Sequence, residues 1–234
     1  MKITTVESFV HADFPNIIYI KIGTDAGVYG IGESYYFGRT VATFVEEFVA
    51  PTLIGLDPAN IESISRKLTT YIGALSSGVE MRAKSAVDIA LWDIKGKVEK
   101  KPIYQLLGGQ SKQLTIYNTC AGRGYMRKSD QDSSAWGISD KNDQYEDLQA
   151  FLTDAGALAK ELLAEGIGGM KIWPFDIYAE KNYGADITDE DLKKGLIPLQ
   201  KVREAVGEKI SLMLELHALW SPKAAKKIFE ATKD

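Results

Sequence analysis

The chain opens on alternation. Residues 2–10 (KITTVESFV) switch between polar and apolar positions and are rich in β-branched side chains, the pattern of a half-buried strand. Residues 17–22 (IIYIKI) predict a second strand. A turn at Thr24-Asp25-Ala26-Gly27 follows, and Val28-Tyr29-Gly30-Ile31-Gly32-Glu33 starts a third. Three strands joined by such short connections predict an antiparallel meander.

The period then lengthens. Residues 41–53 take a helical spacing. Pro58 fits the first turn of a further helix, with Asp57 as its cap, running to about Tyr71. The loop Gly73-Ala74-Leu75-Ser76-Ser77-Gly78 leads into a long helix. Its core, residues 83–97, sets Ala83, Ala86, Val87, Ala90, Leu91 and Ile94 at spacings of three and four. Pro102 opens a short apolar turn that closes at Gly108-Gly109. Strands followed by helices predict an α+β unit over about residues 1–112.

From Leu114 the pattern changes again. Residues 114–120 (LTIYNTC) predict a strand, and the glycine-rich, polar stretch 121–145 a long loop. Residues 147–165 form an amphipathic helix closed by Gly166, and residues 169–172 a short strand. Thr188, with Asp191 three residues on, comes close to a capping box for a helix reaching Ala205. Residues 210–216 predict another strand, and Pro222 opens a last helix to Ala231. Strand and helix alternating three times predict βα units on a parallel sheet.

Composition narrows the class. Of 234 residues, 45% are hydrophobic and 26% charged, as in ordinary globular proteins, and the net charge of -4 gives no strong field for nucleic acid. One cysteine, Cys120, excludes an internal disulfide and fits a reducing compartment. No apolar run has the length of a membrane span, and MKITTVESFV lacks the apolar stretch of a signal peptide, so a cytoplasmic location is expected.

The candidate chemistry gathers at ISLMLELH, residues 210–217. An apolar run of this kind suits a strand buried on both faces. Glu215 and His217 close it, and side chains two apart on a strand share a face. A carboxylate there is costly unless a cation or donor meets it. The plainer alternative is a strand that has reached the surface. His11, just past the first strand, has no partner cluster in the sequence and is expected to be a loop histidine. Gly122-Arg123-Gly124 is too short for a phosphate loop.

Residues 82–109, RAKSAVDIALWDIKGKVEKKPIYQLLGG, resemble the enolase superfamily, specifically the mandelate racemase/muconate lactonizing enzyme group and its acid-sugar dehydratases. The resemblance implies an α+β capping domain over residues 1–112 and, over 113–234, the first part of a (β/α)8 TIM-like barrel. Such a barrel takes about 250 residues. Three βα units cannot close one, so the chain reads as truncated, a fragment of a longer protein. A genuine short protein with a three-stranded sheet is the alternative.

The resemblance also implies a chemistry. A divalent metal, usually Mg²⁺, binds the substrate carboxylate, a base removes the α-proton, and the metal stabilises the enediolate. Glu215 matches the first of three acidic metal ligands, where most relatives carry aspartate. Lys171 matches the first lysine of a Lys-x-Lys pair and is expected to hold the substrate carboxylate. Trp173 stands where the second lysine, a base, would be, and cannot transfer a proton. His217 matches a histidine that gives a proton to the departing β-hydroxyl. The loop Ser34–Arg39 corresponds to one that covers the site in relatives, which makes Tyr36 and Arg39 candidates to meet substrate hydroxyls or a distal carboxylate; surface aromatics packing the cap on the barrel are the alternative. The implied function is an Mg²⁺-dependent dehydratase of a small sugar acid, a homo-oligomer when whole, with the α-proton base on a later strand. A racemase or epimerase of the same superfamily, and a truncated product without activity, remain alternatives.

Overall fold

The computed structural model describes residues 1–69, 78–122 and 146–233. They fall into two compact units, one over Met1–Lys112 and one beginning at Gln113.

The first unit is built on the expected meander. Strands β1 (Ile3–Val10), β2 (Ile17–Thr24) and β3 (Tyr29–Tyr35) pair antiparallel in the order β1-β2-β3. Strand β2 alternates strictly, and its Ile18, Ile20 and Ile22 are fully buried. Full burial of such a side chain stabilises by about 1.5–3 kcal/mol. Opposite them β3 offers Gly30 and Gly32. The long helix α4 (Val79–Glu99) lies on these glycines so closely that a Cβ on Gly32 would strike the Ala86 carbonyl, and one on Gly30 the Ala90 carbonyl. The helix answers with Ala83, Ala86 and Ala90, while Val87, Leu91 and Ile94 fill the core. It also covers the outer edge of β3: Asp93 accepts from the Ile31 amide at 2.9 Å, and Lys97 donates to the Tyr29 carbonyl at 2.8 Å.

The helical stretch expected over 41–53 is α1 (Gly38–Phe44) and α2 (Ala50–Leu53), joined by a π-helical turn, Val45–Val49. Its buried residues, Val41, Val45, Val49 and Leu53, recur every four positions. Steps of four overshoot an α-helical turn of about 3.6 residues, and a wider turn brings the stripe back onto one face. The next helix starts later than expected: α3 is Ile61–Lys67. Asp57 caps a turn instead, its carboxylate accepting from the Ala59 amide at 3.0 Å. The helix also ends early, at Lys67 with Leu68 as its C-cap, short of the expected end near Tyr71, and most of the loop after it lies outside the described residues. A short helix, α5 (Ile103–Leu106), follows Pro102.

In the second unit, β4 (Gly169–Ile172) and β5 (Ser211–Leu214) pair in parallel, with Gly169 opposite Ser211 and Ile172 opposite Leu214. The strand expected over 114–120 is a single bridge at Asn118. The Asn118 amide donates to the Gly169 carbonyl at 2.9 Å, and Lys171 returns a bond to the Asn118 carbonyl at 2.8 Å. The ladder then stops because the Asn118 side chain accepts from the Cys120 amide at 2.6 Å and turns the chain, with Cys120 at φ 49°. The expected loop over 121–145 lies almost wholly outside the described residues.

Helix α6 (Asp147–Ala164) is broken at Asp154, whose carboxylate accepts from the Ala157 amide at 3.1 Å and so caps its second half. Helix α7 (Asp176–Ala179) and a 3₁₀ turn (Glu180–Asn182) fill a stretch with no sequence-based assignment. Helix α8 (Asp189–Val206) starts at Thr188, whose hydroxyl accepts from the Asp191 amide at 3.1 Å. Only half of a capping box forms, since the Asp191 carboxylate turns to Lys181 at 2.8 Å. Helix α9 (Pro222–Thr232) is capped by Ser221. Helix α6 packs on α8 and the sheet through Phe151, Leu158, Leu162 and Val202. Among the described residues no helix is long and apolar enough to cross a membrane.

Candidate active site

Parallel pairing in register brings the C-terminal ends of β4 and β5 to one end of the sheet, where barrel chemistry is placed. Strand β5 ends at Leu214, so Glu215 and His217 lie beyond it, not on one pleated face as expected. The Glu215 amide still donates to the Ile172 carbonyl at 3.0 Å. Its side chain then folds over the following turn. One carboxylate oxygen accepts from the amides of Leu216, at 3.1 Å, and His217, at 2.9 Å. The other accepts from Lys171 Nζ at 3.1 Å. These donors, the His217 amide first and the lysine next, hold the Glu215 carboxyl below its usual range. The expected cation beside the carboxylate is therefore Lys171.

His217 and Ala218 are both left-handed, at φ 46° and 55°. Two such residues in a row are strained and turn the chain beyond β5. The His217 imidazole meets Asp176, the first residue of α7, with Nδ1 at 2.6 Å from Oδ2. Trp173 stands edge-on to the ring, at 5.3 Å between centroids and 89° between planes. Asp176 is fully buried, and its Oδ1 has no hydrogen-bond partner among the described residues. Burial pushes its carboxyl up, against the pull of the His217 hydrogen bond. That bond holds the imidazole protonated above its usual range, against a smaller effect of burial.

The two loops are also clasped further out. Ser221 donates from its amide to the Gly184 carbonyl at 2.9 Å and from its hydroxyl to the Ala185 carbonyl at 2.9 Å. Gly184, at φ 69°, lies so close to the Leu219 carbonyl that no Cβ would fit.

The structure thus brings Lys171, Glu215, His217 and Trp173 together. Trp173 is buried against Phe151 as well as His217. Tyr36 and Arg39 belong to the first unit. Tyr36, at φ 69°, lies against Arg82, whose guanidinium is 5.3 Å from its ring, and Arg39 is exposed in the first turn of α1. His11 accepts from the amides of Asp13 and Phe14 at 3.1 and 3.3 Å and caps its own loop, as a loop histidine does. Sequence reasoning missed Asp176. Its signal was a lone acid in the apolar run Ile172-Trp173-Pro174-Phe175, which only a buried partner would explain.

A carboxylate suits Mg²⁺ by its hard oxygens. Among the described residues, however, no group of three His, Cys, Asp or Glu side chains could hold a metal. Glu215 alone, already engaged by Lys171 and two amides, does not make an Mg²⁺ site.

Residues 4–108 match the mandelate racemase / muconate lactonizing enzyme N-terminal domain family. The chain as a whole resembles the enolase superfamily. A D-mannonate dehydratase of Novosphingobium aromaticivorans is 45% identical over 127 residues, 52% of this chain and 31% of the relative. A D-galactonate dehydratase family member of Streptomyces bingchenggensis is 32% identical over 99% of this chain and 56% of its own length. In structure, an enolase of the mandelate racemase subgroup from Agrobacterium tumefaciens superposes with a TM-score of 0.81 at 40% identity, over 99% of this chain and 54% of the other. The chain therefore spans about half the length of these full-chain matches.

Proposed function

We propose that the protein is an acid-sugar dehydratase, a hydro-lyase in which a base on a later strand, outside the described residues, takes the α-proton of a sugar acid and the β-hydroxyl leaves as water. The observation that carries this reading is the meeting of Lys171, Glu215 and the Asp176-bound His217 at the C-terminal ends of β4 and β5. The dehydratase names of the relatives support the same class.

In this reading His217 is the general acid. Its Nδ1 is held by Asp176, which leaves Nε2 to give a proton to the β-hydroxyl as the C–O bond breaks. Lys171 holds the substrate carboxylate by charge and hydrogen bonding, in exchange for or together with its bond to Glu215. Trp173 walls the imidazole. The Mg²⁺ expected from the resemblance would find one oxygen ligand in Glu215, and the described residues do not complete its site.

The test is incubation with a panel of aldonic and aldaric acids in D₂O. The wild type should release water and form the keto acid. His217→Asn should lower turnover by about 10²–10⁴-fold while deuterium still enters the α-carbon of recovered substrate. Full dehydration by the variant would remove His217 from the acid role. Inversion at the α-carbon without loss of water would make the enzyme a racemase.

A further inference from the structure

We infer that Asp176 is a positioning residue: it grips His217 through Nδ1 and so dedicates Nε2 to proton transfer. The inference rests on the proposed acid role of His217.

An imidazole on a turn can offer either nitrogen, because its ring flips about the Cβ–Cγ bond. Three contacts remove that freedom here. The backbone is fixed, with the His217 amide donating to Glu215 and φ at 46°. The ring meets the edge-on indole of Trp173. Nδ1 lies 2.6 Å from Asp176 Oδ2, the short distance of a charge-assisted bond. A flip would put a ring carbon against that carboxylate.

Asp176 is a poor choice for stability alone. It is fully buried, its second oxygen has no hydrogen-bond partner among the described residues, and the charges of Glu215 and Glu180 act against its own. A buried acid left half-satisfied calls for an explanation beyond packing. Glu215 cannot take over its task, since that carboxylate is directed to Lys171 and the turn amides. The two acids divide the work: one faces the ammonium, the other the imidazole.

The test compares the wild type with Asp176→Ala and Asp176→Asn by ¹⁵N–¹H correlation of the imidazoles and by steady-state kinetics. The chain has two histidines, and His11→Gln tells them apart. The wild type should show one far-downfield, slowly exchanging Nδ1–H for His217. Asp176→Ala should lose it, populate both tautomers, and lower kcat about 10–100-fold with KM within twofold. Asp176→Asn, equal in size, carries the same readouts if the alanine variant fails to fold: it should keep KM but not kcat. An imidazole spectrum unchanged in a folded Asp176 variant, or an unchanged kcat, overturns the inference. A protein that dehydrates no sugar acid yet shows the Nδ1–H and its loss refutes the dehydratase reading and keeps the grip of Asp176 on the ring.

Discussion

Lys171 Nζ stands 3.1 Å from Glu215 Oε2, bridging the ends of the two parallel strands. The lysine and glutamate side chains are 23% and 32% exposed, so water screens the pair. A double-mutant cycle with Lys171→Met and Glu215→Gln should give a coupling of about 0.2–1 kcal/mol in urea unfolding. A coupling well above that range would mean the pair is far drier than its exposure indicates.

A metal cation at Glu215 would compete with that ammonium. Glu215 alone does not make an Mg²⁺ site, so it is in a longer protein that supplies further ligands that Lys171→Met should enlarge the Mg²⁺-dependent rise in Tm, and Glu215→Ala should abolish it, by ligand linkage. A rise that survives in Glu215→Ala places the metal elsewhere.

Cys120 should be inert. It is buried, and burial, with the nearby Asp147 charge, pushes its thiol up to about 12. Thiolate is the reactive form, so alkylation at pH 8 should be far slower than for a free thiol, and denaturant should restore it. The sign for stability follows. Because the folded pKa is the higher one, the contribution of this group is whole below about pH 8.5 and drains away as the pH climbs toward 12. Labelling of the native protein at the free-thiol rate would contradict the burial.

The helix caps should rank. The Thr188 hydroxyl accepts from the Asp191 amide, so Thr188→Ala should cost about 1 kcal/mol. Ser221 accepts from the Ala224 amide and donates to the Ala185 carbonyl, and Ser221→Ala should cost more. Equal losses in denaturant unfolding would mean the Ala185 bond adds nothing.

Gly32→Ala should destabilise the first unit by about 1–3 kcal/mol, since its Cβ meets the Ala86 carbonyl, which is backbone and cannot turn aside. Gly27→Ala has free space at φ 74° and should cost only the strain of a left-handed residue. Thermal unfolding of the two variants decides the order.

The meander was legible because β2 alternates without a break, and α4 because its apolar residues fall at three and four. The turn within Val45–Val49 was not, since a stripe every four residues looks helical whether or not one turn widens. The 114–120 strand was over-read: alternation reports a suitable surface, but only tertiary contact tells how much of it is paired, and here Asn118 alone is. At the site, residue type pointed to Lys171, Glu215 and His217. Their partners were hidden for two reasons. Glu215 is satisfied by amides of its own turn, which no side-chain pattern encodes, and Asp176 reaches His217 across 41 positions of chain.

The clasp between Gly184 and Leu219–Ser221 sets the grain at which this site can be rebuilt. The loop after β4 carries Asp176, the loop after β5 carries His217, and each is shaped to the backbone of the other. A segment from a relative grafted into one loop alone would bring a mismatched half. The smallest part that can be exchanged without losing the proton-handling pair is both loops together.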